Sequence, residues 1–322
     1  MEALLQNVKD LGADIQVNAT FKDLVYGEEG KVAGAILEDG RTLYADIVVL
    51  SMGAWTPQCV PSSILGNVRN VLYKSLIATG QPILTIKLSQ ELAKRYQSIP
   101  VTINWETGFC TFPVPSHALN MCTFIGTDPD PQPNEEGRFK IIHHSNGYTN
   151  ELPLPIDNKF NASAETEFMI STPRTLRSHG TEGTRIPSDL LQYLHAQLEA
   201  IYPELAKLPL ETTRLCWYMD TPDENFLIDS VPGYNDSFFI ATGGSGHAFK
   251  FLPVIGRLVK DRIEGRMEAA VAARFGFFRR LDDSAALHKS RQGQPKRLDE
   301  STMQLWSAED LNKYILTKDV VV

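Results

Sequence analysis

The stretch from position 237 to 256 constrains the fold more than any other. It reads Ser, Phe, Phe, Ile, Ala and Thr, then Gly243, Gly244, Ser245 and Gly246, then His247, Ala248, Phe249, Lys250 and an apolar run ending at Gly256. An opening without polar alternation suits a strand covered on both faces. The glycines that follow demand a sharp turn, and the apolar run from Leu252 suits a helix. Such a turn leaves backbone N–H groups free beside a helix start, where an anionic or electron-rich ligand edge can sit. His247 and Lys250 add cationic donors there. The spacing is not G-x-G-x-x-G, so the turn is not read as a phosphate cradle. Glycines also serve plain tight turns with solvated polar residues, and this pattern fits both uses.

The first 57 residues carry related signals. Leu4, Val8 and Leu11 recur at helical spacing and Gly12 stands where a C-terminal cap belongs. A short strand is expected at 14–17, then a hairpin of 21–26 and 31–37 across a four-residue turn, another turn at 38–41, and a strand at 46–50 buried on both faces. Residues 51–57 end that strand at a glycine. This order suits the second half of a nucleotide-binding fold better than its beginning. From 73 to 215 the pattern changes to short strands, among them 83–88 and 108–112, separated by polar loops such as 128–133. One helix is expected here, capped by Ser188, with Leu191, Leu194, Leu198 and Ile201 as its apolar stripe and Pro203 as its end. Residues 237–265 return to strand, turn and helix. The tail from Arg266 reads as extended and surface-bound, with a weak helix at 308–315.

Composition excludes several classes. With 322 residues, 43% hydrophobic and 22% charged, the chain can bury about two cores and is not dominated by disorder. Thirty-one Lys and Arg against thirty-nine Asp and Glu leave a net charge of -8, which repels polyphosphate and disfavours nucleic acid. The longest apolar runs are strand-sized, below the roughly 20 residues that cross a bilayer, so no membrane span is expected, and Met1 is not followed by a leader-like apolar core. Cysteines 59, 110, 122 and 216 lack C-x-x-C spacing, which points to a reducing compartment and no metal site.

Cys216 stands among Leu215, Trp217, Tyr218 and Met219, where a lone cysteine is usually a core thiol. Cys216, the Thr-Pro-Asp-Glu-Asn-Phe run at 221–226 and the Ser-Gly-His-Ala-Phe-Lys turn at 245–250 nevertheless occur in an informative order and spacing. In these the chain resembles the FAD-dependent amine oxidases of the DAO type, which include monomeric sarcosine oxidase, fructosyl amino acid oxidases, and pipecolate and saccharopine oxidases. The resemblance runs from residue 1 to about 265 and is strongest at 214–256. It implies that Cys216 attaches FAD covalently through the 8α carbon of the ring, and that Lys250 pairs with a substrate carboxylate. It also implies that Gly243, Gly244 and Gly246, beside His247, let the backbone approach the flavin pyrimidine, and that Gly53, Ala54 and Trp55 line the cofactor. A weaker match at 137–144 implies that Lys140 activates oxygen beside the flavin and that His144 faces the substrate. Strand alternation would put Arg138, Lys140, Ile142 and His144 on one face and His143 on the other. An exposed polar strand face explains the same pattern.

Three departures accompany the resemblance. The run 108–113 has no tyrosine where sarcosine oxidase has an aromatic hydroxyl, Ala248 replaces a glycine of many members, and no G-x-G-x-x-G turn occurs. The resulting expectation is an α/β plus α+β chain. An incomplete FAD-binding Rossmann-like domain, lacking its first βαβ unit, spans 1–72 and returns at 216–265; a mixed-sheet substrate domain is inserted at 73–215, and 266–322 forms a tail. The expected activity is oxidation of a secondary amine or N-substituted amino acid to an imine, with O2 reduced to H2O2. The rival expectation is an inactive remnant or the product of a truncated gene model. A monomer is expected, in the cytoplasm by default with the peroxisome as the alternative, since residues 319–322 carry no peroxisomal tripeptide.

Overall fold

The computed structural model describes residues 2–60, 67–112, 137–154, 169–279 and 294–318. The polar loop at 128–133 and Cys122 lie outside them. Helix α1 (Glu2–Asp10) stops as its glycine predicts. Gly12 takes φ +89, its N–H meets the Lys9 carbonyl at 2.9 Å, and the Ala13 N–H reaches Val8 at 3.2 Å. A left-handed residue closed by that pair of bonds is a Schellman stop. Strands β1 (Phe21–Tyr26), β2 (Val32–Leu37) and β3 (Thr42–Tyr44) form an antiparallel meander with its turns where expected. The strand expected at 14–17 does not form, because those residues are exposed and join no ladder. The expected 46–50 strand is observed as β4 (Val48–Leu50), and it is not buried on both faces: Ile47 is exposed and Val48 and Val49 are half-buried. Its single ladder among the described residues accounts for the difference.

A tight turn at Gly53–Trp55 and helices α2 (Thr56–Cys59) and α3 (Asn67–Ser75) lead into β5 (Ile77–Lys87), far longer than the expected 83–88. Helix α4 (Gln90–Tyr96) and strands β6 (Thr102–Ile103), β7 (Phe109–Phe112), β8 (Arg138–His143) and β9 (Tyr148–Thr149) follow. A small pair, β10 (Glu151–Pro153) and β11 (Met169–Ser171), then helix α5 (Leu176–His179) and strand β12 (Ile186–Pro187), precede helix α6 (Ser188–Ile201) and β13 (Leu210–Asp220). Strand β5 is the spine of the large mixed sheet, with β13 antiparallel along one edge and β8 and β9 along the other. Pro187, not Ser188, occupies the cap position of α6, and no side-chain cap bond forms. Leu190, Leu191, Leu194 and Leu198 are buried, whereas Ile201 on the last turn is exposed.

The register divides this sheet into two unlike faces. Ile86, Leu84 and Ala78 of β5 share one face with Phe139 and Ile141 of β8 and with Leu215, Trp217 and Met219 of β13, all buried. This side joins Leu191, Leu194 and Leu198 of α6 in the main core. Truncating such a fully buried leucine to alanine costs about 2–5 kcal/mol.

Strands β14 (Leu227–Ser230) and β15 (Phe238–Thr242) form a hairpin, and β15 runs parallel to β4. The Ser237 hydroxyl accepts the Val32 N–H at 2.7 Å, tying the meander to this return segment. Helix α7 (Leu252–Ile263) follows as expected. The tail is more integrated than expected. Helix α8 (Ala269–Phe275), strands β16 (Lys296–Arg297) and β17 (Leu305–Trp306), and helix α9 (Ala308–Lys318) all engage the fold. Strand β16 extends the large sheet beside β9 and β17 pairs with β12. Leu311 of α9 is buried, and Asn312 donates to the Leu210 carbonyl and accepts its N–H, both at 2.9 Å. High charge does not make a segment extended when its few apolar residues find a core.

Candidate active site

The second face of the large sheet is polar and yet buried. Thr79, Gln81 and Thr85 of β5, Arg138 and Lys140 of β8, and Cys216 of β13 are each at most 8% exposed. The register puts them on one side: Lys140 opposes Thr85, Thr85 opposes Thr212, Gln81 opposes Cys216, and Thr79 opposes Tyr218. Buried polar side chains in this number are unusual and single this face out as the candidate site.

Each polar group is held. Arg138 grips Glu211 with a two-pronged pair, Nε to Oε2 at 2.6 Å and the second prong at 2.8 Å. The Arg138 hydrogen bond holds the Glu211 carboxyl below the usual carboxylate range. The Lys140 ammonium lies 5.4 Å from the centre of the Phe112 ring, a cation over a π face. Thr85 and Thr212 share a hydrogen bond of 2.7 Å. The Thr79 hydroxyl donates to the Asp220 carboxylate, and Gln81 Nε2 donates to Thr79 Oγ1 at 3.4 Å.

His144 departs from the alternation expected of it. Ile83 opposes Ile142 and Gly80 opposes Tyr148, so three steps along β5 face six along its neighbour, and the surplus loops out between β8 and β9. His144 sits in that bulge, half-buried, its ring edge-on to Trp105 at 5.6 Å. Arg138, Lys140 and Ile142 share the polar face, as alternation requires. His143 lies on the opposite face with Phe139 and Ile141, its Nε2 3.1 Å from the Thr107 carbonyl and its ring 5.9 Å from Tyr193. Burial holds its pKa below the ordinary histidine value.

Two strand-end turns lie beside this sheet. Strands β4 and β15 run parallel, and the turn after each lies at its carboxyl end, where open α/β sheets bind ligands. Thr56 Oγ1 donates to the Gly53 carbonyl at 2.7 Å and lies 3.0 Å from Thr242 Oγ1, joining the two ends. Ala54 is buried, Trp55 is half-buried, and the Gly53–Trp55 turn packs against β5 and β13. In the 243–247 turn, Gly243 and Gly246 take φ +77 and +76, whereas Gly244 needs no left-handed backbone. A Cβ on Gly246 would stand 2.9 Å from the Tyr218 ring, and one on Gly243 2.8 Å from Thr221. These two glycines are therefore required by the protein's own close packing. Ser245, also left-handed at φ 45, is locked by its N–H to the Met219 carbonyl at 2.9 Å.

The cationic donors expected at this turn separate. His247 Nε2 meets the Glu224 carbonyl at 2.8 Å and its ring packs beside Phe226 and Phe251. Lys250 is exposed on the short turn of helix Ala248–Phe251. Burial pushes the Cys59 and Cys110 thiols up to about 11, leaving neither as a thiolate at neutral pH.

Sequence reasoning missed Thr79, Gln81, Tyr218 and Asp220. Their signal was present in the alternation of polar with apolar residues through β5 and β13. It also missed Arg279, which grips Asp223 through two nitrogens, each at 2.8 Å, and so clamps the 221–226 run. Nothing local in the tail announced that contact.

A family model described as FAD dependent oxidoreductase matches residues 1–262. The chain belongs to the FAD dependent oxidoreductase family. It is 30% identical to L-saccharopine oxidase of Schizosaccharomyces pombe over 228 residues, covering 71% of this chain and 43% of the relative. An amino acid oxidase of Aspergillus flavus is 30% identical over 254 residues, covering 73% of this chain and 46% of that protein. Among solved structures, fructosyl peptide oxidase from E. terrenum superposes with a TM-score of 0.73 at 26% identity, over 95% of this chain and 61% of that one. The chain thus spans about half the length of the curated relatives it matches. The relatives named are all described as oxidases, which gives no support to the inactive-remnant expectation. No helix among the described residues is long and apolar enough to cross a membrane.

Proposed function

We propose that the chain contributes to an FAD-dependent oxidase acting on an N-substituted amino acid or other secondary amine. The observation that carries this reading is the buried polar sheet face, with a lysine and a cysteine presented on it and the glycine turn packed against its Tyr218. The donor set fits the ring end of a flavin: a thiol for the ring edge, a cation for developing negative charge, and close-packed turns at the carboxyl ends of β4 and β15. Gly53, Ala54, Trp55, Gly243, Gly244 and Gly246 border the cofactor in this reading, with residues 1–72 and 216–265 as its cofactor-facing part and 73–215 as its substrate-facing part. His247 buttresses the turn through the Glu224 carbonyl.

The chemistry that FAD supplies when bound is two-electron acceptance from the carbon beside an amine, with O2 as the final acceptor and H2O2 as product. The residues of this chain do the rest. Cys216 tethers the cofactor. Lys140, desolvated and fixed over Phe112, presents positive charge where oxygen gains an electron. Exposed Lys250 receives the substrate carboxylate, and His144, in the bulge beside Trp105, orients the amine. The names of the relatives point to saccharopine-like and fructosyl substrates. The working unit is the monomer.

The test is to incubate the protein with FAD, precipitate it with acid and record the spectrum of the pellet, then assay H2O2 formation on a panel of secondary amino acids. Yellow, acid-stable protein that produces peroxide supports the reading. Colourless protein that yields no peroxide with any member of the panel overturns it.

A further inference from the structure

We propose that Gln81 is a positioning residue that sets the direction of the Cys216 thiol. The inference rests on the reading of Cys216 as the flavin tether, and its geometry stands apart from that reading. Gln81 and Cys216 are directly opposed on antiparallel strands, and each is 3% exposed. Their Cβ atoms therefore lie about 4.5–5.5 Å apart on the same face, and the carboxamide and the thiol are immediate neighbours away from water.

The carboxamide is fixed from two directions. Its Nε2 donates to Thr79 Oγ1 at 3.4 Å, while the Thr79 hydroxyl is itself committed to the Asp220 carboxylate. The donor sequence thus runs one way, from Gln81 through Thr79 to Asp220, and turns the amide nitrogen toward the Tyr218 end of β13. On the other side, a Cβ on Gly147 would stand 2.2 Å from that same Nε2, and Gly147 holds φ +74. The slot is closed around the nitrogen. The role assigned to Gln81 Oε1 is that of acceptor for the Cys216 S–H.

A cysteine side chain has three staggered positions and weak hydrogen bonding, so a packed neighbour with an acceptor decides which position is populated. In tethering, a bond forms between Sγ and the 8α carbon of the flavin ring. The thiol hydrogen and one hydrogen of that carbon leave as two protons and two electrons, and the electrons pass to O2, giving H2O2. That bond requires the sulfur to point at the ring before reaction, which is the contribution assigned to Gln81.

The test compares wild type with Gln81→Met, which keeps length but removes the acceptor, and Thr79→Val, which breaks the relay without entering the slot. Thr79→Ser keeps the hydroxyl and serves as the conservative control. The first readout needs no flavin: the rate of iodoacetamide labelling at Cys216 in flavin-free protein, resolved from the other cysteines by peptide mass mapping. The second is the fraction of flavin that resists acid precipitation after loading. Gln81→Met is expected to change the labelling rate and lower the acid-stable fraction, each by about fivefold, the factor that one net hydrogen bond supplies. Thr79→Val follows in the same direction, and Thr79→Ser behaves as wild type. Wild-type labelling in both disruptive variants overturns the proposal; if Gln81→Met does not fold, Thr79→Val decides alone. Acid-stable flavin in Cys216→Ser instead defeats the tether reading, while the labelling arm still judges the positioning role.

Discussion

Lys140 and Cys216 face the same side of one sheet, with the single strand β5 between their strands. The link runs through Thr85, which opposes Lys140 on one side and Thr212 on the other, four residues before Cys216 on β13. A tether at Cys216 would thus hold a planar ring within reach of a buried cation. Replacing Lys140 with methionine keeps the packing over Phe112 and removes the charge. The expected result, read with the flavin-loaded protein, is a loss on the order of a hundredfold in kcat/KM for O2, with substrate oxidation under anaerobic conditions within a few fold of wild type. Equal losses in both half-reactions would remove Lys140 from the oxygen step.

Cys216→Ser is expected to abolish acid-stable flavin absorbance while leaving the fold intact. The residue is fully enclosed, but serine is smaller and the directly opposed Gln81 offers a hydrogen-bond partner, so the thermal midpoint should move little. Absorbance of the precipitated pellet and a melting curve together check this. A folded variant that keeps yellow precipitate assigns the link elsewhere.

Acid should destabilise the protein through two named carboxyls. Burial alone would raise Asp223, but hydrogen bonds from Arg279 and Asn225 and the Arg279 charge more than offset it, so its folded pKa is depressed, as is that of Glu211 beside Arg138. A depressed carboxylate contributes stability that is fully present above its unfolded value, about 4, and that is lost as pH falls through the folded value. Urea midpoints should therefore hold steady from pH 7 to 5 and fall below pH 4. Arg279→Met should lower stability at pH 7 by about 3–5 kcal/mol, because it strands an enclosed carboxylate, and should flatten the acid limb. An unchanged acid limb in that variant would separate Asp223 from the effect.

Local rules were legible where a segment closes on its own neighbours. Gly12 ends α1, the 21–37 hairpin forms, and 237–263 runs strand, turn, helix, because each is decided by φ preference and nearby hydrogen bonds. What stayed hidden depended on distant partners. Gln81 and Cys216 are opposed because strands whose paired residues lie 135 apart in sequence run side by side, and Arg279 reaches Asp223 from a tail whose composition reads as solvent-exposed. Lys140 followed from alternation, whereas His144 did not, since the bulge that carries it out of the ladder is created by where β9 rejoins β5. The contact of His247 was hidden for a similar reason: its partner is a carbonyl in the 221–226 run, which spacing within the glycine turn cannot reveal.

The turn glycines offer a test of whether packing or backbone freedom selects them. Gly246 and Gly265 hold nearly the same left-handed φ, +76 and +69, but only Gly246 has a neighbour in the way. Gly265→Ala should cost about 1–2 kcal/mol from backbone strain alone. Gly246→Ala carries the same strain and also drives a methyl to 2.9 and 3.1 Å from two carbons of the Tyr218 ring, so its cost should be clearly larger. The excess belongs to the ring if it disappears in a Tyr218→Ala background, where the double variant should lose no more on adding the methyl than Gly265→Ala does. Denaturant titrations of the five proteins, wild type included, measure this coupling directly. An excess that survives removal of the ring would mean that the backbone at Gly246, held by the Ser245 to Met219 bond, is what resists the side chain.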